Sequence, residues 1–213
     1  MIRDDAIALV ASRVGQRTDL NTAIQLEMSL VIVTKLEENP AITPWFLRTT
    51  KSDLVTVADV DTVALPADFI VQQEDRALQY YDEAGAKWVN LKKMLYEFLD
   101  QKYEDAAHAA PAAYNIDGLL IALRPVPDAI YTLRLRYYQH DPLVVANNVE
   151  TLWLKYAPDL VIAATCATVA KGQLHDMELA ASFDSEIAGA WRRLSVLNEA
   201  REHTGMTYEM GED

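Results

Sequence analysis

"TLRLRYYQHDP", residues 132–142, alternates Leu133, Leu135 and Tyr137 with Thr132, Arg134, Arg136 and Tyr138. A period of two is the mark of a half-buried strand. One side of it belongs to a core. The other sets two arginines on a chain in which 19 Lys and Arg face 32 Asp and Glu, a net charge of −13. Three destinations are open to that side: water, nucleic acid or another protein. Asp61, Asp68, Glu74, Asp75, Asp82 and Glu83 crowd the neighbouring segments, and cross-strand pairing with these acids accounts for the arginines without any ligand. An intermolecular protein contact is the alternative. A stacking, phosphate-contacting face of Arg134, Arg136 and Tyr138 is the weakest of the three, because an acidic chain has no net positive field with which to displace counterions.

Working outward from this strand, the middle of the chain (about 45–142) reads as β-rich. "TVALP" (62–66) is a short strand closed by Pro66, and "FIVQQEDRALQYYDEAGAKWVNL" (69–91) is a hairpin turning at Asp82–Gly85. "AYNIDGLLIALRP" (113–125) is a second hairpin, with Asp117–Gly118 as its turn signal. Between them "MLYEFLDQKYED" (94–105) is a short helix expected to turn Leu95, Phe98 and Leu99 inward. Sequential hairpins predict an antiparallel sheet with one buried face.

Both ends read as helical. Ile2, Ala6, Leu9, Val10 and Arg13–Val14 trace one stripe, ended by Gly15 as a C-terminal cap. A second helix begins at Thr18 or Asp19, carries Leu20, Ile24, Met28, Val31 and Leu36 at near-helical spacing, and stops before Pro40. Its stretch Leu30–Val33 is apolar throughout and predicted to be buried on more than one side. Trp45, Phe46 and Leu47 follow a proline-bounded connector, as core residues or as an anchor between subunits. Pro158 opens a helix rich in small residues (Ala163, Ala164, Cys166, Ala167, Ala170). The last helix has the cleanest stripe: Ala180, Phe183, Ile187, Trp191, Leu194 and Leu197. The reading is α+β: a helical bundle from the N-terminal (1–44) and C-terminal (143–201) segments, a β-rich antiparallel insertion (45–142), and a flexible tail (202–213), all one domain.

Chemistry is hard to find. His108, His140, His175 and His203 are scattered, and only His175 has acids at helical spacing, which suit a helix start better than a metal. Cys166 lies among alanines with no base nearby and reads as a buried structural thiol. Seven glycines supply neither phosphate-cradling motif. No cofactor, catalytic residue or metal site is expected. Asp4 and Asp5 stand immediately before the apolar residues of the first helix, so no secretory signal is expected, and the most apolar helix, 160–170, is too short to span a bilayer.

Several stretches, taken in order, resemble the head-to-tail adaptor proteins of tailed bacteriophages, also called tail accessory factors or connectors. They are residues 13–47, "DTVALPADFI" (61–70), "YNIDGLLIALRPVPDAIYTLRLRYYQHDPLV" (114–144) and "YAPDLVIAATCATVA" (156–170). The resemblance implies a non-enzymatic virion component, assembled in the host cytoplasm. It implies a ring, dodecameric in the family, between the portal and a tail or nozzle protein, with DNA passing through unbound. It also implies a C-terminal segment that reaches the portal, here with Met206, Tyr208 and Met210 alternating. A cytoplasmic protein-binding module and a peptidoglycan-acting tail hydrolase are the other readings.

Overall fold

The computed structural model describes residues 1–37, 43–73, 77–141 and 150–203. The protein is mixed α+β, about 47% helix and 24% strand. It divides into two compact units, Arg48–Gln139 and Met1–Leu47 with His140–Asp213.

In the first unit the quoted stretch is β9 (Thr132–Gln139), and it lies at the centre of a sheet. β1 (Arg48–Val55) pairs with it antiparallel along one side. On the other side β4 (Leu78–Asp82) and β3 (Phe69–Gln72) share its length, β4 against Leu133–Leu135 and β3 against Tyr137–Gln139. β5 (Lys87–Asn90) closes the sheet against β4 across the predicted turn. The predicted first arm, 69–81, is therefore two strands, both of which pair with β9.

A second sheet runs β2 (Thr62–Ala64), β8 (Leu120–Arg124), β7 (Ala113–Asp117), β6 (Lys92–Lys93). Its β6–β7 pair is parallel. The β7–β8 hairpin turns on Gly118 and Leu119, with Asp117 opposite Leu120. Positive φ falls on Gly118 (57°), the first loop residue, as a type II′ turn requires. The turn signal lies one residue early: Asp117 still belongs to the ladder.

Where sequential hairpins predict a single sheet with one covered face, two sheets are found. Leu133, Leu135, Tyr137, Leu78 and Leu91 from one pack with Tyr114, Ile121 and Leu123 from the other, all buried. Strands this short leave too little width for one sheet to bury these side chains; facing sheets do so from both sides. α3 (Tyr96–Tyr103) covers the far face of the second sheet through Leu99, which meets Ala113 and Ala122. Of the three residues expected inside, only Leu99 faces inward. Leu95 and Phe98 are 69% and 54% exposed, against expectation, because so short a helix on so narrow a sheet covers it along one line of side chains.

In the second unit α5 (Pro158–Gly172) is the central helix, buried from Leu160 through Ala167 and again at Val169 and Ala170. Its alanines let α1 (Arg3–Arg13), α2 (Asn21–Val31), α4 (Leu152–Tyr156) and α6 (Met177–His203) approach it. Pro158 stands in the first turn as predicted. α1 buries Ala6, Ile7, Val10, Ala11 and Val14; Leu9 and Arg13, placed in its stripe, are exposed. Gly15 follows at φ 91°. Thr18–Leu20 is a 3-10 turn, so α2 starts at Asn21, later than its expected cap. α2 widens into a π-helical stretch, Ile32–Glu37. Ile24, Met28, Val31 and Leu36 are buried, but Leu30 is 48% exposed. On α6, Asp176 caps the first turn by accepting from the Leu179 amide at 2.9 Å. Ala180, Phe183 and Leu194 are buried, Ile187 and Trp191 half-buried, and Leu197 exposed.

Candidate functional site

The side of β9 turned away from the sandwich core carries Arg134, Arg136 and Tyr138. Strand register places Arg48 opposite Tyr138 and Thr50 opposite Arg136 on β1, and Gln79 opposite Arg134 on β4. Gln79 in turn faces Asn90, and Tyr81 faces Trp88. The result is one surface of arginines and aromatic rings. The Arg134 guanidinium lies 3.8 Å from the centre of the Trp88 ring, and Trp88 rests against Tyr81 at 5.2 Å. Arg48 Nε donates to the Tyr138 hydroxyl at 3.0 Å, its guanidinium 5.6 Å from the ring centre. Arg136 is exposed between the two pairs.

Of the acids expected beside these arginines, Asp61, Asp68 and Asp82 are committed elsewhere. Asp61 and Asp100 hold Arg124, at 2.7 and 2.9 Å. Asp68 accepts from the Tyr137 hydroxyl, and Asp82 from the Ala84 amide. Glu74 and Asp75 lie outside the described residues. Among those described, no carboxylate is within ion-pair distance of Arg134 or Arg136. What anchors Arg134 is an indole, a contact worth about 0.5–1 kcal/mol where partly exposed. Sequence reasoning missed Trp88, Tyr81 and Arg48. The alternation of 87–91 fixes which side Trp88 takes, but nothing local shows that β4 brings it beside β9.

Tyr138 is buried, 6% exposed, and its hydroxyl is occupied by Arg48. That leaves little of its ring for a stacked base. Trp45 is half-buried in the helical unit, set edge-on to Phe46 and Tyr156, with the Arg201 guanidinium 4.8 Å from its ring centre. Its amide donates to Asn198 Oδ1 at 2.8 Å. Met206, Tyr208 and Met210 lie outside the described residues.

The histidines stay apart. His108 Nδ1 meets Asp59 at 2.6 Å on the surface, and His140 meets Glu37 at 2.6 Å. Glu37 Oε1 also accepts from the Asp141 amide (2.8 Å) and Trp153 Nε1 (3.2 Å), while Asp141 Oδ2 accepts from the Trp153 amide (3.0 Å). Burial pushes both carboxyls above their ordinary range, and the hydrogen bonds offset part of it. This knot holds the end of the π-helical stretch to the lead-in of α4. Burial likewise pushes the Cys166 thiol up to about 12, so it stays protonated at neutral pH. Among the described residues no cluster of His, Cys, Asp and Glu is arranged to hold a metal, and no helix is long and apolar enough to cross a membrane.

A surface of cations and aromatic rings fits recognition of another macromolecule. The family described as SU10 adaptor protein matches residues 4–208. The chain belongs to that family. SU10 adaptors are phage head-to-tail adaptors, structural rather than enzymatic, and the family implies a virion component that interacts with portal and tail proteins. No curated protein matches this adaptor.

Proposed function

We propose that the chain assembles as a dodecameric ring between the portal and the tail and lines the channel through which DNA leaves the head. The observation that carries this reading is the match to the SU10 adaptor family over nearly the whole chain. Two physical features support it. A net charge of −13 suits a wall that must let a polyanion slide past without gripping it. On the arginine–aromatic face Arg134 and Arg136 meet no carboxylate of their own chain among the described residues, and an acidic surface on a neighbouring subunit or tail protein supplies it.

The test is to mix the purified chain with the portal of the same genome and image the product by electron microscopy. Rings of the chain capping the portal are expected. A chain that ignores the portal and stays monomeric points instead to a simple binding module, and cleavage of peptidoglycan by the pure protein points to a hydrolase. Reversing Arg134 and Arg136 to Glu separates the parts: the chain folds, yet the ring or its contact with the tail protein is lost. Imaged rings with both arginines turned into the channel overturn their assignment to a protein partner.

A further inference from the structure

Residues 87–93 close both sheets of the β-unit. β5 is the terminal strand of one and β6 of the other, so among the described residues a single stretch of chain presents a free edge. The Lys92 amide donates to the Ala112 carbonyl and the Met94 amide to the Tyr114 carbonyl, at 3.0 Å each, and alternation along a strand turns the Lys93 amide and carbonyl outward. β6 is two residues long while β7 continues to Asp117. Asn115–Asp117 therefore have no strand neighbour on that side among the described residues. Unpaired edges accept an added strand, and the two lysines of β6 blunt this one against strands that bring no acids to meet them.

Beside the edge opens a groove of about 770 Å³, lined by Asn90 to Leu95 and by Asn115. Met94 is half-buried in it, and the exposed side chains of Leu95 and Phe98 extend the apolar surface along α3. Lys92 and Lys93 are exposed, and neither is in an ion pair among the described residues. Such a site selects an extended strand with alternating apolar side chains and negative charge. The chain encodes one. "TGMTYEMGED" (204–213) has three acids and no base, and Met206, Tyr208 and Met210 alternate with Thr207, Glu209 and Gly211.

We propose that the 92–95 edge takes residues 204–213 of a second copy by strand addition, in place of the portal contact that the family resemblance implies for this segment, with Tyr208 and Met210 in the groove and the acids toward Lys92 and Lys93. The assignment to a second copy rests on the ring reading, in which copies stand side by side; the peptide specificity of the edge does not. The test uses the full chain carrying Tyr208→Asp and Met210→Asp, which disables its own segment, and a fluorescent synthetic peptide of residues 204–213. Saturable binding by anisotropy is expected, weaker at high salt and weakened about tenfold or more by Lys92→Glu with Lys93→Glu, since two charge pairs are reversed. Circular dichroism of that variant checks its fold. Absence of saturation, indifference to the lysine reversal in a folded variant, or binding of the peptide to portal but not to this chain overturns the proposal. A photo-crosslinker at position 93, with full-length chains of two masses mixed, tests the source. Products of two chains are expected, and products confined to one chain overturn the second-copy assignment whether or not rings form on the portal.

Discussion

Arg134 shows how far one residue can be read. Its side of the strand follows from alternation alone, and that reading holds; its partner does not follow. A carboxylate is the reasonable expectation in a chain this acidic, but the register of β4 and β5 delivers Trp88 instead. Trp88→Ala is predicted to cost about 0.5–1 kcal/mol of stability through the stacked cation alone, plus the packing on Tyr81, measured by urea unfolding. If Arg134→Ala in the Trp88→Ala background costs as much as it does alone, the two do not couple and the contact is not what holds the guanidinium. Glu37 gives a prediction with a sign. Its folded pKa is raised by burial, so the native state binds this proton more tightly than the unfolded chain. The associated stability is present below the ordinary carboxylate pKa and is lost as pH rises through the raised one. The stability of the wild type relative to Glu37→Gln should therefore fall as pH rises above the ordinary carboxylate range. Unfolding midpoints across that range check it, and a flat or rising difference refutes it. No single-residue signal marks this knot, because the whole β-unit separates Glu37 from His140, Asp141 and Trp153 in sequence.

At the level of elements, the long amphipathic patterns are legible and the short ones are not. α5 and α6 stand where their stripes and the proline place them, since burial on several turns overdetermines a helix. α3 is a helix as its pattern predicts, yet its buried line is not the predicted one. Eight residues make two turns, Leu95 precedes them as the N-cap, and Phe98 and Leu99, adjacent in them, are compatible with more than one inward line. Leu99→Ala is predicted to cost about 2–5 kcal/mol, and Phe98→Ala within about 0.5 kcal/mol of nothing, by thermal or urea unfolding. Equal losses would put Phe98 back in the core. The hairpin tip offers a backbone test. Gly118 sits at φ 57°, so Gly118→Ala should cost about 1 kcal/mol or more through strain alone. A neutral result would mean that the loop readjusts. The second sheet is invisible in the sequence for a different reason: which hairpins pair with which is a long-range matter. The parallel β6–β7 pair, two residues long, carries no local pattern at all.

For the whole molecule, composition and element order carry most of what is legible. A chain of 213 residues with seven glycines, one cysteine and a net −13 argues on sequence grounds alone against phosphate-loop enzymes, disulfide scaffolds and phosphate-gripping proteins. The order of helical and β segments carries the adaptor resemblance, and the family match over residues 4–208 agrees with it. What neither supplies is the arrangement of copies, because surfaces made for partners obey no periodicity within one chain. The most direct measurement is the mass of the portal complex formed with the purified chain, by native mass spectrometry. Twelve chains of 23.9 kDa added to each portal ring is the predicted increment. A portal whose mass is unchanged by excess chain, at concentrations where both are folded, would contradict the account at its centre.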